Sequence, residues 1–154
     1  PMQYFEDLEV GTKASFGHYE VTREEVIDFA SRYDPQPFHL DDEAAAQTYF
    51  GRLSASGWHT CAMTMRMMVE HFSSQEAASL GSPGIDELRW IKPVYPGDTL
   101  RVESELIEKR QSKSKPHMGF TKTRQTTFNQ HGEPVMTMVG NGIIRVRDPE
   151  APAG

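Results

Sequence analysis

The sequence has 154 residues and a formal net charge of −6, a balance that gives nucleic-acid binding no electrostatic support. No apolar run approaches the ~18 residues that span a bilayer, and no signal peptide is read at the start, so no membrane partner is expected. A lone cysteine, Cys61, excludes an internal disulfide; with no zinc-type His/Cys spacing either, a cytoplasmic protein without a metal is expected.

Neither a repeat nor a linker interrupts the chain. One domain is expected over 1–148, followed by a Pro- and Ala-rich tail over 149–154. KASFGHYEV at 13–21 reads weakly as a strand. TREEVIDFASRY then carries a capping box, in which Thr22 accepts from the amide of Glu25 and Glu25 reaches back to the amide of Thr22. With Val26, Ile27, Phe29, Ala30 and Tyr33 on one face, it predicts a helix over 23–33. Pro35 ends that helix, because a residue before proline is pushed out of the α region. DDEAAAQTYF predicts a second helix, starting at Asp41 or Asp42 and ending at Gly51.

The segment SGWHTCAMTMRMMVEHF places apolar residues at 58, 61, 62, 65, 68, 69 and 72. So wide a stripe predicts a central, buried helix of about 15 residues, with Met63 and Met67 on its flanks. Beyond residue 84 the period changes to alternation. IDELRWI, LRVESELIEK, GFTKTRQTTF and VMTMVGNGIIRVR each predict a strand, and PGD at 96–98 and QHGEP at 130–134 supply turns. Strands gathered after helices predict an α+β domain, an antiparallel β-sheet wrapped around a long central α-helix.

Between the first two helices lies YDPQPFHLDD, residues 33–42. Its two prolines keep Asp34 and Gln36 out of α geometry, so a stiff, extended corner is expected, with Asp34 and His39 aimed in fixed directions. On spacing alone, Asp34–Pro35 is also an ordinary helix terminator, and His39 an ordinary hydrogen-bonding turn residue. Asp41 and Asp42 serve as helix caps.

DPQPFHLD resembles the hydratase motif of the MaoC-like dehydratases and (R)-specific enoyl-CoA hydratases, Asp-x-Asn-Pro-x-His-x-Asp. SGWHTCAM at 56–63 resembles that family's His-Gly-led start of the central helix, and RWIKPVYPGDTL at 89–100 its strand with a Pro-x-x-x-Gly-Asp turn. Gln36 departs from the usual asparagine, and Ser56 from the histidine commonly found before the glycine. The resemblance implies a hot-dog fold and a hydratase/dehydratase adding water to trans-2-enoyl-CoA to give (R)-3-hydroxyacyl-CoA, with no cofactor and as a homodimer. It implies that Asp34 and His39 are the catalytic pair and that the Gly57 amide forms the oxyanion hole, with Gln36, Pro37, Phe38, Ser56, Trp58 and His59 lining the acyl-CoA thioester.

The chemistry suits these groups. An unperturbed imidazole titrates near neutrality and takes a proton from water, while a carboxylate beside it holds that water from the other side. A helix N-terminus offers unpaired N–H groups to an enolate-like oxygen, and glycine lets the oxygen approach closely. The simpler readings stand beside this one. His59 serves equally as a surface or capping residue, Cys61 and the methionines as packing, and Arg89, Lys92 and the lysines of 109–115 as solvated charges. A same-fold rival is a thioesterase with its carboxylate on the central helix, where Glu70 lies near the far end. A non-catalytic acyl-thioester-binding subunit is the other.

Overall fold

Alternating side chains on four long strands leave one face of a sheet apolar, and that face takes a helix. The computed structural model describes residues 1–150, apart from the side chains of Ser74 and Gln75; most of the expected tail, 151–154, lies outside the described residues. The strands are β1 (Lys13–Glu20), β2 (Ser79–Trp90), β3 (Thr99–Gln111), β4 (Met118–Phe128) and β5 (Pro134–Arg145). They form one antiparallel sheet in the order β1-β3-β4-β5-β2. The helices are α1 (Arg23–Tyr33), α2 (Asp42–Ala46) and α3 (Gly57–Gln75).

On β3, alternation turns Leu100, Val102 and Leu106 inward, while Arg101 and Glu103 pair outside at 2.7 Å. Met63 and Met67 of α3 join Val102, Val135, Met136 and Met138 of the sheet in one core. Thr64 of α3 and Thr127 of β4 satisfy each other beneath the helix at 2.7 Å. A long helix laid on an antiparallel sheet is the hot-dog fold, as expected. Among the described residues, no helix is long and apolar enough to cross a membrane.

Four details differ from expectation. The buried face of α3 runs through His59, Thr60, Met63, Thr64 and Met67, whereas Trp58, Met65, Val69 and Phe72 of the expected core stripe are exposed in the single chain. Three of these five inner residues are polar, with His59 partnered on α1 and Thr64 on β4, so apolar periodicity pointed to the outer face. Helix α2 stops at Ala46 instead of reaching Gly51, because the amide of Gln47 folds back to Ala44 and Thr48 begins an irregular turn to Gly51 at φ +72. β2 begins at Ser79 rather than Ile85; as an edge strand it tolerates Gly81, Pro83 and the register shifts around them. Only half of the capping box forms: Thr22 accepts from the Glu25 amide at 3.2 Å, but the Glu25 carboxylate is engaged elsewhere.

Candidate active site

The site is built at the corner after α1. Asp34 caps that helix, its amide donating to Ala30 O at 2.9 Å, with φ −153 and ψ 66 outside the α region as a residue before proline requires. Gln36 is extended, but Pro37 opens a single 3-10 turn over Pro37–His39. The corner is therefore tighter than the extended form expected, since proline's fixed φ suits the first position of a helical turn. That turn buries His39, which lies edge-on to Phe38 and near Phe50, with ring centroids 4.6 and 5.7 Å away.

Asp34 and His39 point at each other. His39 Nε2 lies 3.5 Å from Asp34 Oδ2, with the two side chains 6 % and 16 % exposed. That separation is longer than a good hydrogen bond but short enough for both to grip one small molecule. His39 Nδ1 is 2.7 Å from the carbonyl oxygen of Ser54. A carbonyl only accepts, so Nδ1 carries a proton, and a neutral ring presents its Nε2 lone pair to the Asp34 side.

Each oxygen of Asp34 is held. Ser56 Oγ donates to Oδ2 at 2.7 Å, and Gln36 Nε2 donates to Oδ1 at 2.6 Å. Burial raises this carboxyl, but the bonds from Ser56 and Gln36 outweigh it, with His39 adding to them once its ring takes up a proton, so it sits below the ordinary aspartate value. The longer amide of Gln36 thus reaches the Asp34 carboxylate directly.

Ser56 has a second task as the cap of α3. Its Oγ accepts from the amide of Trp58 at 3.2 Å, and its carbonyl accepts from the amides of His59 and Thr60. In this first turn, the Gly57 amide is the donor with no acceptor assigned among the described residues. Gly57 also has a packing reason to be glycine. Trp90 Nε1 donates to Gly57 O at 2.9 Å, and a Cβ at 57 would meet Trp90 Cε2 at 2.5 Å.

Asp34, His39, Gln36, Ser56 and Gly57 therefore come together, and Phe38 packs beside His39. Pro37 is exposed at the rim. Trp58 is 59 % exposed, its ring edge-on to Trp90 at 5.4 Å. Ser56 and His59, expected to line the substrate, are buried instead. Ser56 grips Asp34, and His59 turns into the interior toward Glu25. Three neighbours had no sequence signal. The Ser54 carbonyl is backbone, Glu25 looked fully explained as a cap, and Tyr19, whose hydroxyl donates to Glu25, sat in a weak strand. The hollows on the sheet's outer face, one around Glu87, Arg89 and Arg124 and one around Lys13, Glu103 and Phe128, do not include the Asp34–His39 corner.

A hot-dog sheet with an Asp/His pair beside the first turn of its long helix defines the class of fold, and comparison with known proteins narrows it. Residues 7–127 match the MaoC like domain, so the chain belongs to the MaoC-like family. It is similar to the crystal structure of a MaoC-like dehydratase from Rhodospirillum rubrum, with 37 % identity and a TM-score of 0.85, covering 95 % of this chain and 99 % of that one. The (R)-hydratase from A. caviae involved in PHA biosynthesis aligns at 26 % identity and a TM-score of 0.67, over 90 % of this chain and 97 % of that one. A curated relative, mesaconyl-CoA hydratase of Cereibacter sphaeroides, is 44 % identical over 70 residues. That match covers 46 % of this chain and 20 % of the relative's length.

Proposed function

We propose that the chain is a hydratase/dehydratase that reversibly adds water to trans-2-enoyl-CoA thioesters, giving (R)-3-hydroxyacyl-CoA, with Asp34 and His39 as the catalytic pair. The observation that carries this is the 3.5 Å approach of His39 Nε2 to Asp34 Oδ2, with Nδ1 fixed by Ser54 O. Two acceptors facing each other at that distance suit a water directing one O–H toward each. The water oxygen bonds to C3 as one of its protons passes to His39. The electrons of the C2–C3 π bond move onto the thioester oxygen, and the pair returns the proton to C2 on the same face. One water is consumed, and Asp34 and His39 end as they began. The developing oxyanion would meet the Gly57 amide at the positive end of α3; a donor of this kind is worth about 2.7–4 kcal/mol.

The low-lying Asp34 carboxyl supports this role, since an ionised group must accept from the water across the working pH range. Gln36, Phe38 and Trp58 flank the same corner and are assigned to the thioester, with Pro37 at its rim. The thioesterase alternative is weaker. Glu70 is exposed and bound by Arg66 at 2.6 Å, far along α3 from its N-terminus.

The uncovered apolar residues of α3, together with Leu80, Ile85 and Trp90 of the edge strand β2, support a homodimer, and the lone thiol of Cys61 suits a reducing cytoplasm. The function is tested by mixing purified protein with enoyl-CoAs of graded length and branching. Loss of the conjugated thioester absorbance without release of CoA supports the proposal. Release of CoA without hydration supports the thioesterase, and no reaction supports the binding subunit.

A further inference from the structure

His59 is 2 % exposed, one turn into α3, and the proposed reaction gives it nothing to do. Its Nε2 lies 3.0 Å from Glu25 Oε1 of α1. The same oxygen accepts the hydroxyl of Tyr19 from β1, so three elements meet at one carboxylate oxygen. The ring of His59 lies flat on Phe29, with centroids 4.7 Å apart and planes at 8°. Its Nδ1 is buried with no partner among the described residues. The orientation of the ring therefore rests on Glu25 and Phe29, both on α1.

These contacts are electrostatically matched. Burial raises Glu25, but the bonds from Tyr19 and His59 outweigh it and hold the carboxyl below its usual value. Burial and then Glu25 push Tyr19 up to about 12. Arg66 and Glu70 of α3 lie near the Tyr19 hydroxyl and act on it in opposite directions.

The network leads to the proposed site by two routes. Along α1, Glu25, Phe29 and Tyr33 fall on one face four residues apart, Phe29 and Tyr33 touch at 5.1 Å, and the next residue is Asp34. Along α3, the amide of His59 donates to Ser56 O at 2.9 Å, and the hydroxyl of Ser56 grips Asp34. The element ending in the catalytic carboxylate and the element beginning with the oxyanion amide are thus tied by a buried imidazole a turn away.

We propose that His59 is a positioning residue, which through Glu25 and Phe29 holds α1 against the start of α3 and so sets the placement of Asp34 relative to the Gly57 amide. This rests on the hydratase reading. Misplacing groups that act on one transition state costs rate steeply while leaving most ground-state contacts intact. A purely structural histidine would alter stability without a selective effect on turnover.

The test is steady-state enoyl-CoA hydration by wild type, His59→Leu, His59→Gln, Glu25→Leu and the double variant His59→Leu/Glu25→Leu, with melting temperatures in parallel. His59→Leu is expected to lower kcat by about ten- to a hundredfold with KM within about twofold. His59→Gln places an amide N–H near the position of Nε2 and is expected to restore most of kcat. Glu25→Leu should match His59→Leu, and the double variant should lose little more than either, because each removes the same tie. If His59→Leu does not fold, Glu25→Leu and His59→Gln decide the matter, since Glu25 is half-exposed. Unchanged kcat, a loss confined to KM, no rescue by glutamine, or fully additive losses would overturn the inference and leave the hydratase reading intact. A wild-type protein that hydrates no enoyl-CoA overturns that reading, and the positioning role with it.

Discussion

At the scale of single residues, the account rests on how Asp34 and His39 are held. Asp34→Asn keeps the hydrogen-bonding shape but removes the charge that receives the water, and His39→Gln removes the base. Either change should lower hydration by about 10²–10⁴-fold while circular dichroism and melting show a folded protein. Ser56→Ala removes both a donor to Asp34 and the cap of α3. It should cost about 1 kcal/mol in stability, and it should move the acid limb of kcat to higher pH, because the carboxyl loses a bond that lowered it. The folded-state pKa of Asp34 lies below its unfolded value. Its contribution to stability is therefore complete above the unfolded value and is lost as pH falls through the folded one. Asp34→Asn should flatten part of the acid fall in melting temperature relative to wild type, read in buffers stepped downward from neutral pH.

At the scale of elements, the N-terminus of α3 concentrates the constraints. Gly57 is packed against Trp90, so Gly57→Ala should destabilise by about 1–3 kcal/mol through overpacking. A smaller residue at 90 should return part of that stability, as measured by chemical denaturation of the single and double variants. This scale also separates what a sequence reveals from what it hides. The limits of α1, the inward set of β3 and the turn at Gly97 follow from local rules of capping, alternation and turn chemistry. The buried face of α3 does not, because Thr60 and Thr64 are polar by composition, and Thr64 finds its partner only on β4. Within the site, the Asp/His pair and the glycine were legible from motif resemblance. The Ser54 carbonyl that fixes the tautomer and the Glu25–His59 contact were not, since one is backbone and the other joins residues 34 apart in sequence.

At the scale of the whole molecule, the exposed stripe of α3 and the uncovered edge β2 are the surfaces that the proposed homodimer would cover, a second copy meeting them by symmetry. Val69→Lys with Phe72→Asp should shift a dimer toward monomer in sedimentation experiments. Because both residues are solvent-facing in the single chain, the monomer itself should stay folded. The central claim is that one water, shared between a carboxylate and an imidazole, is added across an enoyl thioester. Its most direct measurement is the reaction of purified wild type and Asp34→Asn with trans-2-enoyl-CoA, followed by absorbance and chiral analysis of the product. The account predicts loss of the conjugated absorbance, an intact thioester and a single (R)-3-hydroxyacyl product with wild type, and almost none with the variant. Unchanged absorbance with wild type, or equal turnover by both proteins, would contradict it.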